Sequence, residues 1–100
     1  MGISRLSLKI EASPGLLKIL RAKSKEERRL VGRAIDEACT AWGRPHLHAG
    51  SGLRKLRNNL YEVRSGLKTR LVFEPRLDGS LYFHTMGNHD EVLKFLKAHR

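Results

Sequence analysis

The chain holds a single cysteine, Cys39, among its 100 residues. That excludes an internal disulfide and any zinc site built on several thiolates. No apolar run approaches the roughly 20 residues that a helix needs to cross a bilayer, so no membrane span is expected. The first ten residues alternate polar with apolar and form no signal-peptide core, which points to the cytoplasm. Aromatic residues number six, too few for an extended base-stacking surface. Glycine-rich loops of the nucleotide-binding kinds do not occur. Acidic residues are outnumbered two to one, giving a net charge of +10 with histidines neutral.

The positive excess is not a tail. Each half of the chain carries ten basic and five acidic residues, so the folded body itself is basic. Such a field attracts polyanions: nucleic acid, the ribosome or an acidic protein. The length and the balance of apolar to charged residues suit one globular domain spanning 1–100.

Residues 5–11 alternate, with Leu6, Leu8 and Ile10 on one face, the pattern of a half-buried strand. Ser13-Pro14 marks a helix start, followed by the apolar Leu16, Leu17 and Leu20. Ser24 and Glu27 have the spacing of a capping box and open a second helix. Its inner face reads Leu30, Val31, Ala34, Ile35, Ala38 and Trp42, and Gly43 stops it. Residues 44–53 read as a loop. The period then falls to two: strands are expected at 59–65, 67–74 and 81–86, joined by turns at Ser65-Gly66 and Asp78-Gly79. Asn88 and Glu91 pair as the cap of a last helix carrying Val92, Leu93, Phe95 and Leu96. The expected fold is α+β in the order β-α-α-β-β-β-α. A helical hairpin precedes a small mixed sheet of about four strands, and the helices cover one face of it.

The stretch 53–70 holds six basic residues, Arg54, Lys55, Arg57, Arg64, Lys68 and Arg70, against one acid, Glu62. The first three are expected on a loop. A hairpin turning at Ser65-Gly66 sets Arg64 and Arg70 on adjacent strands, where their guanidinium groups can grip one phosphate in two-pronged fashion. His89 falls in the first turn of the last helix, where free backbone N–H groups favour anions. An imidazole there can exchange a proton near neutral pH. His84 lies on the last strand. His46 and His48 are the only histidines close in sequence and have no partner cysteine, so neither a metal site nor a cofactor is expected. Cys39 and Trp42 read as packing residues.

Three short segments resemble the RelE/ParE superfamily of toxins from bacterial type II toxin–antitoxin modules. They are Leu60-Tyr61-Glu62-Val63-Arg64, Thr69-Arg70-Leu71-Val72-Phe73, and Met86-Gly87-Asn88-His89-Asp90-Glu91-Val92. The resemblance covers about residues 53–97, and the helical hairpin before it fits in layout. It implies one of two activities. RelE-like members are ribosome-dependent endoribonucleases that cut mRNA without a metal. ParE-like members poison DNA gyrase. An acidic antitoxin neutralises either kind. By the same resemblance Arg70 stabilises the transition state, Arg64 contacts substrate phosphate, and His89 acts near the leaving group. Leu93 stands where several of the nucleases carry tyrosine.

Metal-free RNA cleavage uses the 2′-OH as nucleophile. It needs cations for the phosphorane charge and an acid for the 5′-oxygen. Arg64, Arg70 and His89 supply these. Glu62 is an auxiliary that serves as base or orients Arg64, with His84 a second auxiliary. Arg54, Lys55, Arg57 and Lys68 are expected to hold the RNA backbone. The expected partners are the antitoxin, the ribosome and mRNA, with gyrase as the alternative. A third reading is a harmless basic domain associated with RNA or the ribosome.

Overall fold

The computed structural model describes residues 9–44 and 52–99. Its elements run β1 (Ile10–Ala12), α1 (Pro14–Arg21), α2 (Lys25–Ala41), β2 (Arg54–Arg57), β3 (Leu60–Ser65), β4 (Thr69–Pro75), β5 (Leu81–Gly87) and α3 (His89–Ala98). The strands form one mixed sheet in the order β1-β5-β4-β3-β2. β2 to β5 are antiparallel to their neighbours, and β1 runs parallel to β5 at the edge. The expected α+β architecture is therefore present, with five strands rather than about four.

The extra strand is β2, in a stretch read as loop. Arg54-Lys55-Leu56-Arg57 holds one apolar residue and shows no alternation. Its pairing comes from outside: Arg54 lies opposite Glu62 and Lys55 opposite Tyr61. A basic edge strand of this kind is invisible to a hydrophobic period. The first strand is described only as Ile10–Ala12, and Leu6 and Leu8 lie outside the described residues.

The helix caps form as the sequence predicts. Ser13 Oγ accepts from the Leu16 N–H at 2.9 Å and donates to the His84 carbonyl at 2.6 Å, tying the start of α1 to β5. Ser24 with Glu27 and Asn88 with Glu91 each close a full capping box. α2 ends at Ala41, one residue before its predicted limit. Trp42 turns extended as the C-cap and sets its ring edge-on to Tyr61 at 4.7 Å and to Phe73 at 5.9 Å.

The helices do not all share one face of the sheet. α1 and α2 cover the side carrying Val63, Leu71, Phe73, Leu81, Phe83 and Met86, the main core. α3 lies on the other side, where Val92, Phe95 and Leu96 pack on Leu60 and Val72 with Leu56. Both faces of β4 are thus apolar, since Leu71, Val72 and Phe73 are all fully buried. Such a doubly covered strand shows no clean alternation, so a single covered face was the natural expectation.

A bulge in β5 sets the position of α3. Val72 pairs with Thr85 and Phe73 with Phe83, so His84 is the extra residue. Strict alternation from Leu81 and Phe83 would turn Met86 away from the main core. The bulge shifts the parity and buries Met86. It also brings Gly87 opposite Arg70. A Cβ on Gly87 would stand 2.7 Å from Glu91 Cβ, so only glycine lets the first turn of α3 close this tightly on the strand.

Candidate active site

α3 leaves part of its sheet face open beyond its N-terminus. The register there places Arg54, Glu62, Arg64 and Arg70 on three neighbouring strands: Arg54 opposite Glu62, and Arg64 opposite Arg70. Gly87, next to Arg70 on β5, leads through the Asn88 cap directly into His89, the first residue of α3.

Glu62 is the anchor of this group. Its side chain is 4% exposed, and its Oε2 accepts from Arg54 Nε at 2.8 Å. Arg70 Nε lies 3.3 Å from the same oxygen. That Nε is buried and makes no aligned hydrogen bond, so its contact with Glu62 is electrostatic. Arg70 Nη1 reaches the other way and lies 3.4 Å from His89 Nδ1. A buried carboxylate needs charged partners to be tolerated, and here two guanidinium groups share one.

The charges do not balance. Three arginines stand around a single carboxylate, and among the described residues Arg64 has no acidic partner. Like charges directly across a strand pair repel. Arg64 and Arg70 are such a pair, and an anion between them relieves the repulsion. Phosphate fits, because each guanidinium offers two parallel N–H donors. Arg64 is held at its stem. Gly52, with φ of +73°, packs so closely that a Cβ there would be 3.1 Å from Arg64 Cγ. Nothing in the sequence pattern pointed to Gly52.

Of the residues singled out from sequence, Arg64, Arg70, His89 and Glu62 come together. Glu62 engages Arg54 and Arg70, where the sequence suggested Arg64. Arg54 sits at the rim with 62% of its side chain exposed, and Lys68 lies in the turn between β3 and β4. Lys55 alternates to the opposite face, across from Tyr61 of the main core. Arg57 is engaged elsewhere: its Nη2 donates to the carbonyls of Leu96 and His99 at the far end of α3. Leu93, on α3, is half exposed. His46 and His48 lie outside the described residues.

His84 also belongs to the far end. Its Nε2 is 2.8 Å from Glu74 Oε1, and its ring lies 5.6 Å from Phe95 and 5.0 Å from His99. The helix from His89 to His99 separates the two groups by about 15 Å. Cys39 is half-buried, and burial together with nearby Asp36 pushes its thiol above the usual range, the opposite of an activated nucleophile. No helix among the described residues is long and apolar enough to cross a membrane.

No family model and no curated protein matches the sequence. Solved structures do match in fold. The archaeal RelE–RelB complex from Pyrococcus horikoshii OT3 aligns with a TM-score of 0.65 at 16% identity, over 82% of this chain and 94% of that one. YafQ from E. coli strain BL21(DE3) aligns with a TM-score of 0.57 at 15% identity, over 86% of this chain and 98% of that one. The conserved hypothetical protein HP0894 from Helicobacter pylori gives 0.52 at 17% identity, over 85% and 98%. The chain therefore has the fold that the sequence resemblance implied.

Proposed function

We propose that this protein is the toxin of a toxin–antitoxin pair and cleaves mRNA on the ribosome without a metal ion at its active site. The observation that carries the proposal is Arg70 set between the buried Glu62 carboxylate and the His89 ring. The likeness in fold to RelE favours the nuclease over the gyrase-directed alternative.

In this reading the scissile phosphate lies between Arg70 and Arg64, with Arg54 and Lys68 holding flanking phosphates. Glu62 orients Arg70 through charge. The 2′-OH attacks the adjacent phosphorus, and the new negative charge falls on oxygens that face guanidinium donors already in place. An imidazolium at His89 donates its proton to the departing 5′-oxygen. The products are a 2′,3′-cyclic phosphate and a free 5′-hydroxyl. The short list of groups on this surface suggests that the ribosome contributes the rest, including the base for the 2′-OH. The net charge of +10 suits an acidic protein as inhibitor, as the pairing of RelE with RelB suggests.

Induced expression in bacteria tests the proposal. Growth arrest, with new mRNA 5′ ends mapped inside coding regions, is the expected result. Arrest with intact mRNA and relaxed plasmid DNA would move the target to gyrase, and harmless expression would remove the toxin reading.

A further inference from the structure

Glu74, His84 and His99 meet at the end of α3 remote from His89, brought together from β4, the β5 bulge and the helix C-cap. Each offers one ligand atom, and the three atoms lie within 4.8 Å of one another. We propose that these residues bind one divalent transition-metal ion of the zinc type. The site lies on the same sheet face as Arg70 but at the other end of α3, about 15 Å away, and the proposal does not depend on the function proposed above.

The donor set is two imidazoles and one carboxylate. Imidazole suits zinc, copper or nickel, whereas magnesium and calcium prefer several oxygens, and only one carboxylate is present here. Three protein ligands leave a fourth position for water. Ligand bonds of about 2.0–2.2 Å in a tetrahedral shell put donor atoms about 3.4 Å apart. The 2.8 Å between Glu74 Oε1 and His84 Nε2 therefore opens slightly, and His99 closes in by about an ångström. His99 is the C-cap: its N–H still bonds the Phe95 carbonyl at 2.9 Å, but its backbone is already extended, and its imidazole makes the adjustment by turning about its own side-chain bonds.

The rest of the structure preorganises these ligands. The bulge that makes His84 the unpaired residue of β5 aims its ring at Glu74. Phe95 stacks on the His99 ring at 5.1 Å, and Arg57 holds the His99 carbonyl. Two cations oppose the ion. Arg76 lies 3.9 Å from Glu74 Oε1 with its guanidinium over the Tyr82 ring, and Arg57 stands behind His99. Arg76 must release Glu74 for the ion to bind, so its removal strengthens binding. A metal here ties the C-terminal end of α3 to β4 and β5, which makes it a structural staple for the helix that carries His89.

Metal-stripped protein titrated with zinc sulfate by calorimetry tests this, with cobalt(II) as a spectroscopic probe of coordination. The expected result is one zinc per chain, a visible cobalt spectrum typical of four-coordination, and a rise in Tm on adding zinc. Both Glu74→Gln and His99→Ala should weaken zinc binding by at least about tenfold, while Arg76→Gln should strengthen it. His99→Ala alters a C-cap, so circular dichroism and metal-free Tm establish that it folds. The double variant His46→Ala/His48→Ala should bind zinc as the parent does. Absence of saturable binding would overturn the proposal. So would binding unaffected by Glu74→Gln and His99→Ala, or binding lost on changing His46 and His48.

Discussion

Arg70 Nη1 lies 3.4 Å from His89 Nδ1, a contact between the second residue of a strand and the first residue of a helix nineteen positions later. It joins the two groups that the proposed chemistry needs most: a cation for the phosphorane and a proton donor for the leaving oxygen. Removing either should stop cleavage while leaving the fold in place. His89→Ala should lower the cleavage rate by about 10²–10⁴-fold. Arg70→Lys keeps the charge and loses the fork, and a fall of about 10²–10³-fold is expected from the missing donor. Primer extension with time resolution measures both.

Glu62 has a different part. It touches Arg54 and Arg70 and is nearly inaccessible, so its effect passes through the guanidinium groups. Glu62→Gln should destabilise the protein by about 1.5–3 kcal/mol, the usual worth of hydrogen bonds to a charged group. It should also slow cleavage by loosening Arg70. In a double-mutant cycle, Glu62→Gln and Arg70→Ala should prove non-additive in both stability and rate. Full additivity would show that Glu62 does not act through Arg70.

Two glycines give opposite expectations. Gly87→Ala forces a Cβ to 2.7 Å from Glu91 Cβ, against the capping box that starts α3. It should destabilise by about 1–3 kcal/mol and displace His89. Gly32, in α2, has nothing within 4 Å of a Cβ built on it. Gly32→Ala should stabilise by about 0.5–1 kcal/mol. Thermal or denaturant unfolding of the two variants checks the contrast.

The turn before β5 gives a prediction in pH. Asp78 Oδ1 accepts from the Ser80 hydroxyl at 2.7 Å and from the Ser80 N–H at 2.9 Å. These bonds favour the carboxylate and hold its pKa below the usual range. A folded-state pKa below the unfolded one contributes stability above the unfolded value, and that contribution is lost as pH falls through the folded one. The stability difference between the parent and Asp78→Ala should therefore be present at neutral pH and shrink in acid. Denaturant melts at neutral and acid pH measure it.

Much of this was readable in advance because it is local. The caps at Ser13, Ser24 and Asn88, the strand of Tyr61 and Val63, and the existence of a hairpin after it each depend on residues a few positions apart, although its turn falls at 66–68 and not at Ser65-Gly66. The sequence put Arg64 and Arg70 on adjacent strands, but their direct pairing comes from this longer turn, which sets Ser65 opposite Thr69; a turn at Ser65-Gly66 would have faced Arg64 with Leu67. The parts that escaped depend on distant contacts. β2 becomes a strand by pairing with β3, and α3 takes the second face because Val72 on a doubly buried strand gives it somewhere to pack. Arg57 carries the same charge as Arg54 three residues away, yet it caps α3 while Arg54 meets Glu62. Charge alone could not divide them. The grouping of His84 with Glu74 and His99 needs the β5 bulge, which only the register shows.

The most direct test is mRNA integrity in a reconstituted translation system, mapped by primer extension after adding the purified protein. Discrete cuts are expected that require ribosomes and vanish with His89→Ala and with Arg70→Ala. Intact mRNA with continuing translation would contradict the account, as would cuts that survive loss of both residues.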